Sequence, residues 1–260
     1  MKIVVCIKQV PDTTEVRLDP KTGTLIREGV PSIINPDDKA GLEAALRLKD
    51  EYAAHVTVVS MGPPQADLAL REALAMGADE AILLTDRAFG GADTWATSTT
   101  IAAAIKNLEY DLIITGRQAI DGDTAQVGPQ IAEHLGLVNI SYAENIKVEG
   151  DYIIVKRQYE DRYHILKAKL PVLITALSEL NEPRYMTPGG IFEAYRDKNP
   201  KVWHLSDLTV DTNNIGLKGS PTKVKKSFTK GAKSAGKVFN LEPQESAELI
   251  VDKMKEKFIL

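Results

Sequence analysis

Apolar, β-branched runs alternate along the first half of the chain with segments whose apolar positions recur at helical spacing. Lys2–Ile7 and Val56–Ser60 read as buried strands, as do the shorter Ala81–Leu84 and Asp111–Thr115. Between them lie helical patterns. Gly41–Ala53 interleaves Leu42, Ala45, Leu46 and Leu48 with charged residues. Gln65–Met76 is closed by Gly77, Thr94–Lys106 has Asp93 or Thr94 as N-cap, and Thr124–Leu135 is stopped by Gly136. Strands that are runs rather than alternations are buried on both faces. The pattern therefore predicts an α/β fold, an open and mostly parallel sheet with helices on both sides.

Residues 12–34 break the rhythm, and Thr24–Ile34 reads as a small hairpin or an excursion over the sheet. After Ala143 the texture changes. Glu144–Glu149 and Tyr152–Tyr159 flank Gly150-Asp151 and predict an added β-hairpin. His164–Lys169 and Pro171–Ala176 are expected to extend one edge. Lys218–Lys237 holds seven lysines and no acid, and reads as a linker. Gln244–Phe258 is an amphipathic helix, too short to stand alone in water.

In an open parallel sheet, ligands bind beyond the carboxyl ends of the strands. The segments there are Lys8–Pro11, Met61–Pro64, Thr85–Asp93 and Gly116–Pro129. The last follows a buried strand, carries small residues and runs into a helix start. Asp123 or Thr124 could cap that helix, and free N–H groups at its start favour an anion. Spacing alone favours an ordinary strand-to-helix connection. Neither GxGxxG nor GxxxxGK[ST] is present. Asp121 and Asp123 sit awkwardly beside an anion unless they face away, cap the helix or touch hydroxyls.

Composition narrows the chemistry. The 260 residues are 43% apolar and 26% charged, with Lys+Arg 32 against Asp+Glu 36. That balance lacks the positive field of a nucleic-acid binder. The lone Cys6 excludes an intramolecular disulfide or a CxxC metal site, so redox chemistry requires an organic cofactor. His55, His134, His164 and His204 are scattered without metal spacing, and Trp95 and Trp203 read as packing residues. No run reaches the ~18 to 20 apolar residues of a membrane span. The apolar stretch Ile3–Ile7 is too short for a signal core, so cytoplasmic residence is the default expectation.

Five motifs carry a resemblance. They are Cys6-Ile7-Lys8-Gln9-Val10-Pro11-Asp12, Asn35-Pro36, Ala73-Leu74-Ala75-Met76-Gly77-Ala78-Asp79, the Gly116–Pro129 loop, and Asn181-Glu182-Pro183-Arg184-Tyr185. Over nearly its whole length the chain resembles the β subunit of electron-transferring flavoproteins. The resemblance implies a Rossmann-like nucleotide-binding domain over 1–217. A linker and C-terminal arm over 218–260 would pack on an α subunit. Ordinary members hold a structural AMP. In electron-bifurcating members, from anaerobes, the same place holds FAD that takes hydride from NADH.

The version Asp121-Gly122-Asp123-Thr124-Ala125-Gln126-Val127-Gly128-Pro129 resembles the bifurcating group. Ordinary members often carry a bulkier residue where Gly122 stands, and glycine leaves room for a diphosphate. Ala88–Thr94 and Gly219–Thr222 also resemble that group. By this resemblance Cys6 would pack near the adenine. Asn35, Pro36, Asp37 and Asp38 would line the adenosine pocket, with Met61 on the same rim. Gly116, Arg117, Gln118, Ala119, Ile120, Asp121, Gly122, Asp123, Thr124, Ala125, Gln126 and Val127 would wrap ribose and phosphates. Thr94, Ser220 and Thr222 would approach the flavin.

The implied electron acceptors are ferredoxin or flavodoxin and, through an α-subunit FAD, a flavin dehydrogenase acting on an acyl-CoA or a hydroxy acid such as lactate. The alternatives are an ordinary AMP-bearing β subunit and a nucleotide-binding sensor without a redox role. Two departures from the family pattern stand out. Asp37-Asp38-Lys39 replaces an aromatic stretch after Asn35-Pro36. Pro188 stands where ordinary members present a dehydrogenase-anchoring leucine, with Ile191 and Phe192 nearby.

Overall fold

The apolar runs become the inner strands of a nine-stranded sheet. The computed structural model describes residues 1–12, 17–18, 25–26, 31–222 and 236–260. In chain order the elements begin with β1 (Lys2–Cys6), β2 (Gln9–Pro11), β3 (Arg17–Leu18), β4 (Leu25–Ile26) and β5 (Ser32–Ile34). Next come α1 (Pro36–Tyr52), β6 (His55–Met61), α2 (Asp67–Met76), β7 (Glu80–Leu84), α3 (Thr94–Ile105), β8 (Leu112–Gly116) and α4 (Val127–Leu135). They continue as β9 (Val138–Glu149), β10 (Tyr152–Gln158), β11 (Tyr163–Lys169), β12 (Val172–Ala176), α5 (Pro188–Arg196), β13 (Lys201–Trp203), α6 (Gly216–Gly219) and α7 (Pro243–Glu256). The chain divides into two compact units, Met1–Lys223 and Val224–Leu260.

The sheet order is β11-β10-β9-β12-β8-β1-β6-β7-β13. From β9 to β13 every pairing is parallel, and the hairpin β10–β11 is antiparallel. Side chains alternate across the strands and fill two cores. Ile3 and Val5 of β1 join Leu42, Leu46 and Leu70 of α1 and α2 on one face. Val4 and Cys6 join Ile101, Ile105 and Ile131 of α3 and α4 on the other. Burial on both sides explains why these strands are uniformly apolar.

Four expectations are corrected. β12 does not extend an edge: it lies between β9 and β8, with all five residues buried. A Val-Leu-Ile run belongs where both faces are covered, whereas β11, with its exposed positions, takes the edge. Helix α1 starts at Pro36, not Gly41, because Asn35 occupies the N-cap position and proline suits the first turn. Helix α4 starts at Val127, not Thr124. Asp123 and Ala125 adopt left-handed backbone (φ 49° and 52°), which a helix cannot include, and neither Asp123 nor Thr124 caps it.

In place of the Thr24–Ile34 hairpin there are two nested antiparallel ladders, β2 with β5 and β3 with β4. Residues 13–16, 19–24, 27–30 and 223–235, the last holding most of the expected linker, lie outside the described residues.

Helix α4 sits unusually close to the sheet. A Cβ at Gly128 would stand 2.5 Å from Thr115 Oγ1 and 2.9 Å from Thr175 Cγ2. Gly128→Ala should therefore destabilise the fold by ~1–3 kcal/mol through overpacking, measured by urea denaturation. An unchanged midpoint would show that α4 can back away freely.

Candidate functional site

The strand order reverses at β1. From β1 the chain moves outward to β6 and β7, then returns to β8 on the other side of β1. Ladder pairing between β1 and β8 ends at Val5↔Ile114, while β8 stays paired with β12 as far as Gly116. The carboxyl ends of β1 and β8 thus part, which is the geometry of a switch-point crevice.

One buried carboxylate occupies the parting. Asp38, in the first turn of α1, accepts the backbone N–H of Lys8 at 2.8 Å and of Gly116 at 2.9 Å. Gly116 is required there, since a Cβ would lie 2.1 Å from Asp38 Oδ1. Burial raises the Asp38 carboxyl from 3.8 to about 7, against the lowering effect of these donors and Asn35. Its neighbour Asp37 is also raised by burial, partly offset by Arg117, whose Nε lies 3.3 Å from Asp37 Oδ2.

Asn35 is fully buried and staples the loop after β8. Its Nδ2 donates to Gln118 O at 2.8 Å and its Oδ1 accepts from Ile120 N at 3.0 Å. The N–H groups of Gly122 and Asp123 turn back to Ala119 O. Gln118 donates to Asp123, and Lys8 Nζ reaches both oxygens of Asp121 at 2.7 and 2.8 Å. Both aspartates that looked awkward beside an anion are thus engaged by donors.

Above these elements opens a cavity of about 1210 Å³, larger than the ~300–1,000 Å³ of common small-molecule pockets. It runs from the Gly116–Val127 loop past Cys6 and Met61 to Thr85–Asp93 beyond β7, and to His204 after β13. Cys6, Met61, Phe89, Ile101 and Ile131 give it an apolar floor. Thr94, Thr97, Thr124 and Thr222 bring hydroxyls, and Lys8, Arg87 and Arg117 bring cations. The starts of α3 and α4 both open onto it, and helix starts favour anions.

The structure brings most of the sequence candidates onto this lining: Cys6, Asp38, Met61, Thr94, Gly116, Arg117, Gln118, Ala119, Gly122, Thr124, Ala125, Gln126, Val127 and Thr222. Asn35, Pro36, Asp37, Ile120, Asp121, Asp123 and Ser220 are not among the lining residues. Ser220 accepts the Asp93 N–H at 2.9 Å, and Thr222 donates twice to the Asp93 carboxylate. Burial pushes Asp93 up, but the bonds from Ala96 and Thr222 hold it net below its usual value. Cys6 lines the floor, with burial pushing its thiol up to about 12, so it acts there as an apolar surface.

Trp95 sits outside the lining, edge-on to His134 at 4.7 Å. Lys8, Asp86, Arg87 and His204 are lining residues not singled out from sequence. Lys8 and Arg87 belong to the strand-end segments Lys8–Pro11 and Thr85–Asp93. His204 gave no signal, because β13 brings it from the far edge, where its Nδ1 lies 2.6 Å from Thr85 O.

Arg184, from the Asn-Glu-Pro-Arg-Tyr motif, makes paired contacts with buried Glu43 on α1 and reaches Asp50. Burial raises Glu43, and the Arg184 bonds more than offset this, leaving it below its ordinary value. The anchor leaves Tyr185 and, on α5, Phe192 projecting into solvent at 93% and 70% exposure.

An open, mostly parallel sheet with a large, cation-bearing crevice at its switch point defines a doubly wound α/β protein. The electron transfer flavoprotein domain matches residues 22–203. The chain is 64% identical to the electron transfer flavoprotein subunit beta of Clostridium acetobutylicum, over 98% of each chain. It is 55% identical to the caffeyl-CoA reductase-Etf complex subunit CarD of Acetobacterium woodii, over 100% of each. It is 47% identical to the acryloyl-CoA reductase electron transfer subunit gamma of Anaerotignum propionicum, again over 100% of each. The chain belongs to the electron transfer flavoprotein family, as a β subunit.

Asp38 generates a pH test. Its folded-state value is raised, so between pH 3.8 and about 7 the folded chain keeps a proton that the unfolded chain has lost. Stability should fall as pH rises through that window and level off above it. Asp38→Asn should flatten this slope in urea denaturation at pH 5 and pH 8. An unchanged slope would place the titration elsewhere.

Proposed function

We propose that this β subunit binds FAD in the switch-point cavity and works in electron bifurcation with an α subunit. The observation that carries this reading is the length of the cavity. It continues from the Gly116–Val127 loop across β1 and β6 to residues beyond β7, giving room for a dinucleotide where AMP would need only the first part. The donor set fits such a ligand. The apolar floor suits planar rings, the threonines suit ribityl and ribose hydroxyls, and the helix starts with Arg87 suit a diphosphate.

The Gly116–Val127 backbone would hold the phosphates, with Cys6, Asp38 and Met61 beneath the adenosine portion and Thr94 and Thr222 toward the ring. A bound flavin would supply the redox chemistry: acceptance of hydride from NADH and passage of one electron to ferredoxin or flavodoxin and the other through the α-subunit FAD to a dehydrogenase. The protein's part is to bind and orient it, and no side chain need act as general acid or base.

The relatives named for caffeyl-CoA and acryloyl-CoA reductase complexes support an acyl-CoA-type dehydrogenase over a hydroxy-acid one. Phe192 and Ile191 on α5 are the exposed apolar candidates for docking it, in place of the absent leucine. The arm over 218–260 would pack on the α subunit through α7, where Ile250 and Val251 are exposed. No helix among the described residues is long and apolar enough to cross a membrane, and a cytoplasmic complex suits NADH as substrate.

Released nucleotide from the denatured heterodimer tests the reading. Two FAD per heterodimer are expected. One FAD with one AMP would favour an ordinary β subunit, and no flavin with a stable lone chain would favour a sensor. A Cβ at Gly122 meets nothing within 4 Å, so Gly122→Glu should leave the fold intact and expel the β-subunit FAD. Unchanged flavin content would count against this placement of the loop. Deleting residues 240–260 should weaken heterodimer assembly, and an intact complex on gel filtration would refute the arm assignment.

A further inference from the structure

Asp121 precedes Gly122 in the loop that edges the cavity, so phosphates held by that loop would face a carboxylate close by. Lys8 sits across the crevice mouth, lining the cavity, with its ammonium on both carboxylate oxygens of Asp121.

Both ends of this contact are held by the fold. The Lys8 N–H is donated to Asp38 and its carbonyl accepts the Asn35 N–H at 2.9 Å. On the other side, the Ile120 N–H goes to Asn35 Oδ1. Asn35 therefore fixes the backbone at Lys8 and beside Asp121, and the ion pair spans the gap between them. The two side chains are 48% and 34% exposed, so the pair adds little to folding stability. Its effect is on local charge and on loop placement.

We propose that Lys8 is a positioning residue. It stays on Asp121 when the nucleotide is bound, cancels that carboxylate's charge, and keeps the loop's backbone turned toward the phosphates. It does not contact phosphate itself. This rests on the reading of the cavity as a nucleotide site.

The test is calorimetric titration of FAD into flavin-depleted heterodimer, with thermal unfolding of each variant without added FAD. If the wild type takes up no FAD at the β-subunit site, the cofactor reading fails regardless of Lys8. Given wild-type binding, Lys8→Met should weaken affinity by about tenfold or more, since it leaves an uncancelled carboxylate beside the anion. Lys8→Arg, which keeps the pair, should bind like the wild type. The double variant Lys8→Met with Asp121→Asn should regain near-wild-type affinity, because no charge is left to cancel. A double variant as weak as Lys8→Met would place Lys8 on the phosphate and overturn the proposal. Wild-type affinity in Lys8→Met would overturn it as well.

Discussion

The crevice exists because one carboxylate stands where two strands stop pairing. The ladder between β1 and β8 ends at Val5 and Ile114, and the next inward-facing donors, the N–H groups of Lys8 and Gly116, would otherwise be buried without partners. Unpartnered buried donors are costly. Asp38 takes both, so the strand ends separate without stranding their backbones. Its position in the first turn of α1 adds the favourable field of a helix start. The same burial that makes Asp38 useful as a wedge raises its carboxyl value.

Around that wedge, labour divides between residues that shape the loop and residues that face the cavity. Asn35 uses both ends of its amide on the backbone at Gln118 and Ile120. Asp93 caps α3 through the Ala96 N–H and holds Thr222 with its other oxygen. The Arg184–Glu43 pair does similar work at the opposite face, fixing the segment that leads to exposed Tyr185 and α5. With Glu43 buried and Arg184 partly exposed, desolvation offsets part of the attraction, and the pair's main effect is on register.

Much of the architecture was legible in the sequence. A sheet buried on both faces must be written as apolar runs, and β1, β6, β7 and β8 were found that way. β12 was misplaced because a run predicts burial but not neighbours, and the return of the chain from the hairpin into the sheet is a long-range event. The early start of α1 is hidden by Asp37 and Asp38, which read as surface residues in the sequence but are both buried. The late start of α4 depended on left-handed residues, Asp123 and Ala125, that are not glycine.

In the candidate site, loop positions were legible from their place after strands. The roles of Asn35, Lys8 and His204 were not, because each is defined by a partner far away in the chain.

The open space at Gly122 bears on how such a scaffold can diversify. Its N–H is held by Ala119 O, and a Cβ added there would meet no atom of the described residues within 4 Å. Substitutions at that position change the room left for a ligand while leaving folding almost untouched. Sequence change at this one cavity-lining position is thus open to the scaffold at little cost to its fold.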